Sequence, residues 1–166
     1  MAKRRTARGM ALESRINKCN LIYRKMKLAL IEKIELSFKI TNKGPVPLIS
    51  TVDYKGMIKQ ANGKATGIAF DAKETKSKTS FPLKNIESHQ LEYLKYVDMV
   101  GGESYFLIHF TQVYPDLGFL VPTKFIADCW DNAATGPKSI KIDNFDKAWL
   151  VPIDDYLQLL DKKGNT

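Results

Sequence analysis

Val52-Asp-Tyr-Lys-Gly-Met-Ile-Lys59 and Gly67-Ile-Ala-Phe-Asp-Ala-Lys73, with Asn62-Gly63 between them, decide how this chain folds. Each is short and free of proline, the composition of a strand bounded by turn residues. Asn-Gly tolerates the positive φ of a tight turn, so the two strands are expected to close into a hairpin. Side chains two residues apart on a strand share a face. Asp71 and Lys73 therefore project together, Ala72 turns away, and pairing of the strands brings Asp53 towards Asp71.

Upstream, residues 11–27 read as a helix, with Leu12, Ile16, Ile22 and Met26 at roughly helical spacing. The period then changes. Ile34, Leu36, Phe38 and Ile40 alternate with Glu35, Ser37 and Lys39, which predicts a strand with one buried face. Asn42-Lys-Gly44 signals a turn, and Pro45 and Pro47 exclude a central strand or a helix. Downstream, residues 76–84 read as a polar loop. Residues 87–100 read as a helix with Leu91, Leu94 and Val97 on one face, stopped by Gly101-Gly102. Residues 105–110 predict a buried strand and 118–121 another; 123–133 and 154–162 predict helices. The order is that of an α/β domain with a mixed central sheet flanked by helices.

The 166 residues suit one compact domain, expected over 9–166 behind a flexible basic tail at 1–8. An apolar fraction of 44% supports a real core. No stretch is apolar enough to span a bilayer, and no signal-peptide core follows the basic N-terminus, so a cytoplasmic protein with no membrane partner is expected. Cys19 and Cys129 are too few for a disulfide framework or a zinc cluster, and both are expected to be reduced thiols. The net charge of +8 and pI of about 9.4 suggest a polyanionic partner, most often nucleic acid.

Two acids and a lysine on neighbouring strands suit phosphodiester hydrolysis. That chemistry needs a hard cation on the scissile phosphate, and Mg²⁺ is content with two carboxylates, a backbone carbonyl and waters. A fixed ammonium stabilises the extra charge of the pentavalent phosphate and positions the attacking water. Lys73 fits that part better than a fixed assignment as general base. The competing reading is a solvated strand face with a surface ion pair, weakened by apolar Ile68, Ala69 and Phe70 and by the second acid. His109 reads as a packed histidine, and Asp98, Glu92 and Glu103 as surface charges.

Here the residues carry a resemblance. The run Phe70-Asp-Ala-Lys-Glu-Thr75, the Lys/Thr/Ser loop, Phe81-Pro-Leu-Lys-Asn85 and His89-Gln90 resemble the RecU family of Holliday-junction resolvases, within the PD-(D/E)xK, restriction-endonuclease-like nucleases. Ser50-Thr-Val-Asp-Tyr54 upstream, Arg8-Gly-Met-Ala-Leu-Glu13 with Ile16-Asn17, and later Lys138-Ser-Ile140 and Asp155-Tyr-Leu157 extend the similarity over most of the chain. Asp71 stands where the family usually has Glu, and Val52 where it often has Thr. The segment between Ile40 and Ser50 is shorter than the family's stalk.

The resemblance implies a restriction-endonuclease-like core with a short, proline-rich, stalk-like projection at about 38–50. It implies Mg²⁺, with Mn²⁺ as a substitute, held by Asp53, Asp71, the Ala72 carbonyl and Glu13. Lys73 is then the catalytic lysine, and Gln90, at the start of a helix whose N-terminus can face phosphate, a further catalytic residue. Arg4, Arg5, Arg8, Thr75, Lys76, Lys78, Lys84 and His89 are expected to contact DNA, mostly at phosphates. The implied partners are branched DNA, a second copy of the chain, and recombinase or branch-migration proteins, in a bacterial or phage-encoded, nucleoid-associated protein. The implied activity is paired symmetric nicking of four-way junctions in recombination and repair. Two alternatives stay open: a restriction- or repair-type endonuclease on duplex or branched DNA, and a non-cutting DNA-binding accessory protein.

Overall fold

The computed structural model describes residues 7–35, 37–48, 51–158 and 160. A six-stranded sheet forms the centre. Its strands are β1 (Ala29–Lys33), β4 (Tyr54–Lys59), β5 (Ala65–Thr75), β7 (Glu103–Phe110), β8 (Leu117–Pro122) and β10 (Leu150–Pro152), adjacent in that order. Only β5 and β7 run parallel; the other neighbours are antiparallel. The sheet is therefore mixed, as the sequence predicts. A parallel pair needs a crossover. Here it runs through β6 (Ser80–Pro82), a 3-10 turn (Leu83–Asn85) and helix α2 (Ser88–Met99).

Helices cover both faces. α1 (Ala7–Lys25) lays Leu12, Ile16, Cys19 and Tyr23 against Tyr54, Phe70, Tyr105, Leu107 and Leu120. On the other face, α2 and α3 (Thr123–Asn132) pack Leu91, Leu94, Ile126 and Ala127 onto Val52, Ala69, Phe106, Ile108 and Val121. Alternation along β5 thus sends Ile68, Phe70 and Ala72 towards α1, and Ala69, Asp71 and Lys73 towards α2. The β4–β5 hairpin forms as expected, with Tyr54 opposite Phe70 and Gly63 at φ 79° in its turn.

Several expectations are corrected. Residues 1–6 lie outside the described residues; α1 takes in Ala7 and Arg8, the end of the tail expected at 1–8, and ends at Lys25. It closes on a left-handed Lys27 (φ 59°), with Leu28 N–H reaching Tyr23 O at 3.0 Å and Lys27 N–H reaching Arg24 O at 3.1 Å. This is a Schellman closure with lysine in glycine's usual place. The strand expected over 34–40 is not one strand: β1 ends before it, at Lys33, and among its described residues only 38–40 are strand, as part of β2 (Phe38–Thr41). The core strand is β1, which buries Ala29 and Ile31. β2 pairs only with β3 (Gly44–Pro47), and Phe38 and Ile40 are exposed rather than buried. The alternation there is real, but the hairpin lies apart from the layers that could cover it. Pro45 and Pro47 sit on a strand paired on one side only, where a missing N–H is tolerated. Within the predicted loop at 76–84, Ser80–Pro82 pairs with β9 (Ser139–Lys141). The last predicted helix opens as a 3-10 turn at Ile153–Asp155, and its end from 161 lies outside the described residues. Asp98 and Glu103 are more than surface charges: Ser104 Oγ donates to Asp98 at 2.6 Å, and the Tyr105 hydroxyl donates to Glu103.

Candidate active site

Asp53 immediately precedes β4, and Asp71 lies within β5, so the two meet where the hairpin strands diverge. Two backbone bonds lock them together. Asp53 N–H donates to Asp71 Oδ1 at 3.2 Å, and Ala72 N–H donates to Asp53 Oδ2 at 3.0 Å. Asp53 O also accepts Ile34 N–H at 2.7 Å, which ties the acid to the exit of β1.

Lys73 Nζ lies 2.7 Å from Asp71 Oδ2 and donates to Gln90 Oε1 at 2.8 Å. Gln90 Nε2 donates to Asp71 Oδ1 at 2.9 Å, while Gln90 Oε1 also accepts Glu87 N–H at 3.3 Å. The amide orientation follows from its neighbours, with oxygen facing donors and nitrogen facing a carboxylate. One side chain therefore holds both members of the Asp71–Lys73 pair and fastens the first turn of α2 to them. Gln90 stands in the first turn of α2, the helix start expected of it, and its side chain reaches Asp71 and Lys73.

Asp71 is fully buried. Its pKa is pushed up to about 7, first by burial and then by the charge of Asp53, with Lys73 opposing both. A buried carboxylate beside a second one favours positive charge beyond one ammonium. The donor chemistry, two hard oxygen ligands side by side, fits a divalent cation of the Mg²⁺ type. Of the Ala72 backbone, it is the N–H, turned to Asp53, whose bond defines the site.

Glu13 comes from α1 on the other face of the sheet. It forms an ion pair of 2.9 Å with Lys33, both side chains being more than four-fifths buried. Lys33 is the register partner of Tyr54, next to Asp53. Among the described residues no group of three His, Cys, Asp or Glu side chains converges to hold a metal, so Glu13 is not joined to the aspartates in a three-acid cluster. Lys33 escaped sequence reading. The only trace of it is a lysine ending a strand, and its pairing with a residue twenty positions away is tertiary.

The expected DNA contacts divide. Lys76, Lys78 and Lys84 are exposed around the loop that follows β5, and His89 is half-buried in the first turn of α2. Thr75 is buried, and its hydroxyl accepts Ser77 N–H at 3.2 Å, so it shapes the loop instead of facing outward. The backbone of Arg8 is helical; Arg4 and Arg5 lie outside the described residues. His109 is packed as expected, its Nε2 2.9 Å from Tyr114 O and its Nδ1 3.3 Å from Glu74.

The family model for recombination protein U, RecU, matches residues 7–162. The chain belongs to the RecU family. That match takes in Glu13, Asp53, Asp71, Lys73 and Gln90 together. The chain is 36% identical to the Holliday junction resolvase RecU of Shouchella clausii, over 94% of its own length and 80% of the relative's. It is 36% identical to the RecU resolvase of Oceanobacillus iheyensis, covering 93% and 85%, and 35% identical to that of Oenococcus oeni, covering 95% and 86%. A more distant likeness, at 14% identity and a TM-score of 0.46, joins 86% of this chain to 97% of Hjc, a Holliday junction resolvase from Archaeoglobus fulgidus. Membership of the RecU family rests on the sequence matches alone.

Proposed function

We propose that this protein is an endonuclease that resolves four-way DNA junctions by paired symmetric nicks, with Asp53, Asp71 and Lys73 at its active centre. The observation that carries the proposal is the closed network of Asp53, Asp71, Lys73 and Gln90 inside a chain of the RecU family. Asp53 and Asp71 supply the carboxylate oxygens for Mg²⁺, with Mn²⁺ as its substitute, and the Ala72 carbonyl is assigned as a further ligand; Glu13, engaged by Lys33, is left out of the ligand set. The cation, when bound, acts as Lewis acid on the scissile phosphate and lowers the pKa of a water. Lys73 holds its ammonium where charge builds on the phosphate and orients the attacking water. Gln90 fixes that ammonium through Oε1 and keeps Asp71 facing the site. The nicks leave 5′-phosphate and 3′-hydroxyl ends.

Lys76, Lys78, Lys84 and His89 are assigned to the DNA backbone beside the site, with Arg4, Arg5 and Arg8 adding contacts from the N-terminus. A two-fold junction suits a two-fold dimer carrying two active centres. An open groove of about 600 Å³ beside β1, β4 and α2, with exposed Leu30, Met57 and Val100, supports a second copy as partner. Recombinase and branch-migration proteins are the further partners of this reading, in a cytoplasmic, nucleoid-associated setting. Among the described residues no helix is long and apolar enough to cross a membrane.

The test is cutting of a synthetic four-way junction and of linear duplex carrying the same arms, with Mg²⁺ and with EDTA. Symmetric, metal-dependent nicks confined to the junction are expected. Equal cutting of both substrates would remove junction selectivity in favour of a repair- or restriction-type enzyme. Binding without any cutting would leave a DNA-binding accessory protein.

A further inference from the structure

The polar loop after the catalytic strand is joined to a segment some sixty residues further along the chain. β6 and β9 pair antiparallel, with Ser80 opposite Lys141, Phe81 opposite Ile140 and Pro82 opposite Ser139. Flanking backbone bonds extend the contact: Leu83 N–H to Lys138 O at 3.0 Å and Ile142 N–H to Thr79 O at 2.8 Å. Phe81 and Ile140 are buried in the α2–α3 core. Strand alternation therefore turns the next pair, Ser80 and Lys141, to the opposite, outer face.

The two lysines of β9 and its approach have different duties. Lys138 is committed: its ammonium donates to Ala133 O and, at 3.4 Å, to Ala134 O, carbonyls at the end of α3 where a cation is favoured. Lys141 is exposed. Among the described residues no ion pair or hydrogen bond engages the ammonium of Lys76, Lys78, Lys84 or Lys141. Lys76 and Lys78 lead into β6 from the strand bearing Asp71 and Lys73, Lys84 follows it, and Lys141 stands across the ribbon from Ser80, all four exposed. The nearest acid along the chain, Asp143, is itself exposed and past the end of β9.

We infer that the β6–β9 ribbon is a built phosphate-binding edge, and that Lys141 extends the row of Lys76, Lys78 and Lys84 along the backbone of a DNA arm. The inference rests on the nuclease reading and adds to it a contact from the C-terminal third of the chain. Strand pairing holds Lys141 in place, so its contact costs less ordering than one from a free loop. It positions the arm relative to the site without reading sequence.

The test is the salt dependence of binding. Affinity of the full chain for a fluorescent four-way junction is measured in EDTA, where the DNA stays intact, over a series of KCl concentrations. Lys141→Gln is expected to raise Kd and to flatten the slope of log affinity against log salt by about 0.9, one phosphate's worth of counterions. Lys141→Arg is expected to keep the parent slope. An unchanged slope in Lys141→Gln would overturn the inference, as would a lowered Tm with the slope retained, which would make the residue structural. Junction cutting by the unaltered chain with Mg²⁺ is read separately, so the nuclease reading survives or fails independently of Lys141.

Discussion

At the scale of residues, Asp71 sets the character of the site. Its pKa of about 7 lies above the usual carboxylate value because of burial and Asp53. Between about pH 4 and pH 7 the folded protein therefore holds a proton at Asp71 that the unfolded chain has lost. More protons bound in the folded state means that stability contributed here is present at low pH and falls as pH rises through that window. In EDTA, thermal unfolding across pH 4 to pH 8 is expected to show this decline, and Asp71→Asn is expected to flatten it. Adding Mg²⁺ at pH 8 should raise the Tm of the parent, by mass action on the folded state, and leave Asp71→Asn unmoved. Gln90 is the second critical residue. Gln90→Ala strands Lys73 and Asp71 without their shared partner. We expect a loss of about 1–3 kcal/mol in chemical denaturation and a fall in cleavage rate on the order of 100-fold, since displaced catalytic groups are costly even at small shifts.

At the scale of elements, the β1–β4 junction tolerates no side chain at Gly56. A Cβ there would stand 1.9 Å from Leu30 O and 2.7 Å from Ile31 Cα, both backbone atoms. Gly56→Ala is expected to destabilise by about 3 kcal/mol by forcing β1 away from β4. A Cβ at Gly67, on the next strand, meets nothing within 4 Å. Measured by urea titration beside it, Gly67→Ala should therefore stay within about 0.5 kcal/mol of the parent.

The elements also mark what sequence could say. The β4–β5 hairpin is readable because Asn62-Gly63 joins two short, proline-free segments, and its register puts Asp53, Asp71 and Lys73 together. At 34–40 a clean two-residue period misleads. Periodicity tells which side chains share a face, and Phe38 and Ile40 have no layer over theirs. β9 and β10 are three residues each and exist only through partners far away in the chain, so no local pattern announces them. The same holds for the double duty of Gln90 and for the Glu13–Lys33 pair.

At the scale of the whole molecule, the C-terminal segment is fastened to the first helix. Arg15 grips Asp154 with two bonds of 2.9 and 2.8 Å, and also reaches Pro115 O at 3.1 Å and Asp116 at 3.3 Å. Tyr23 and Tyr156, packed edge to face at 5.6 Å between ring centres, continue the seam inside. Arg15 holds the pKa of Asp154 below the carboxylate norm, so this pair stabilises above the unfolded pKa and its contribution is lost as pH falls through the folded one. Both partners are partly exposed, and Arg15→Ala is expected to cost about 1 kcal/mol in urea unfolding at pH 7 and less at pH 3.

The two faces of the sheet divide the labour of the molecule. α1 and the C-terminal segment stabilise one side, while the other presents Asp71, Lys73 and the lysine-bearing ribbon. Single-turnover cutting of a four-way junction, with binding measured in parallel, tests that arrangement most directly. Asp71→Asn and Lys73→Met should each slow strand scission by about 10³-fold while the junction is still bound. Either variant cutting at the parent rate would contradict the assignment of the active centre.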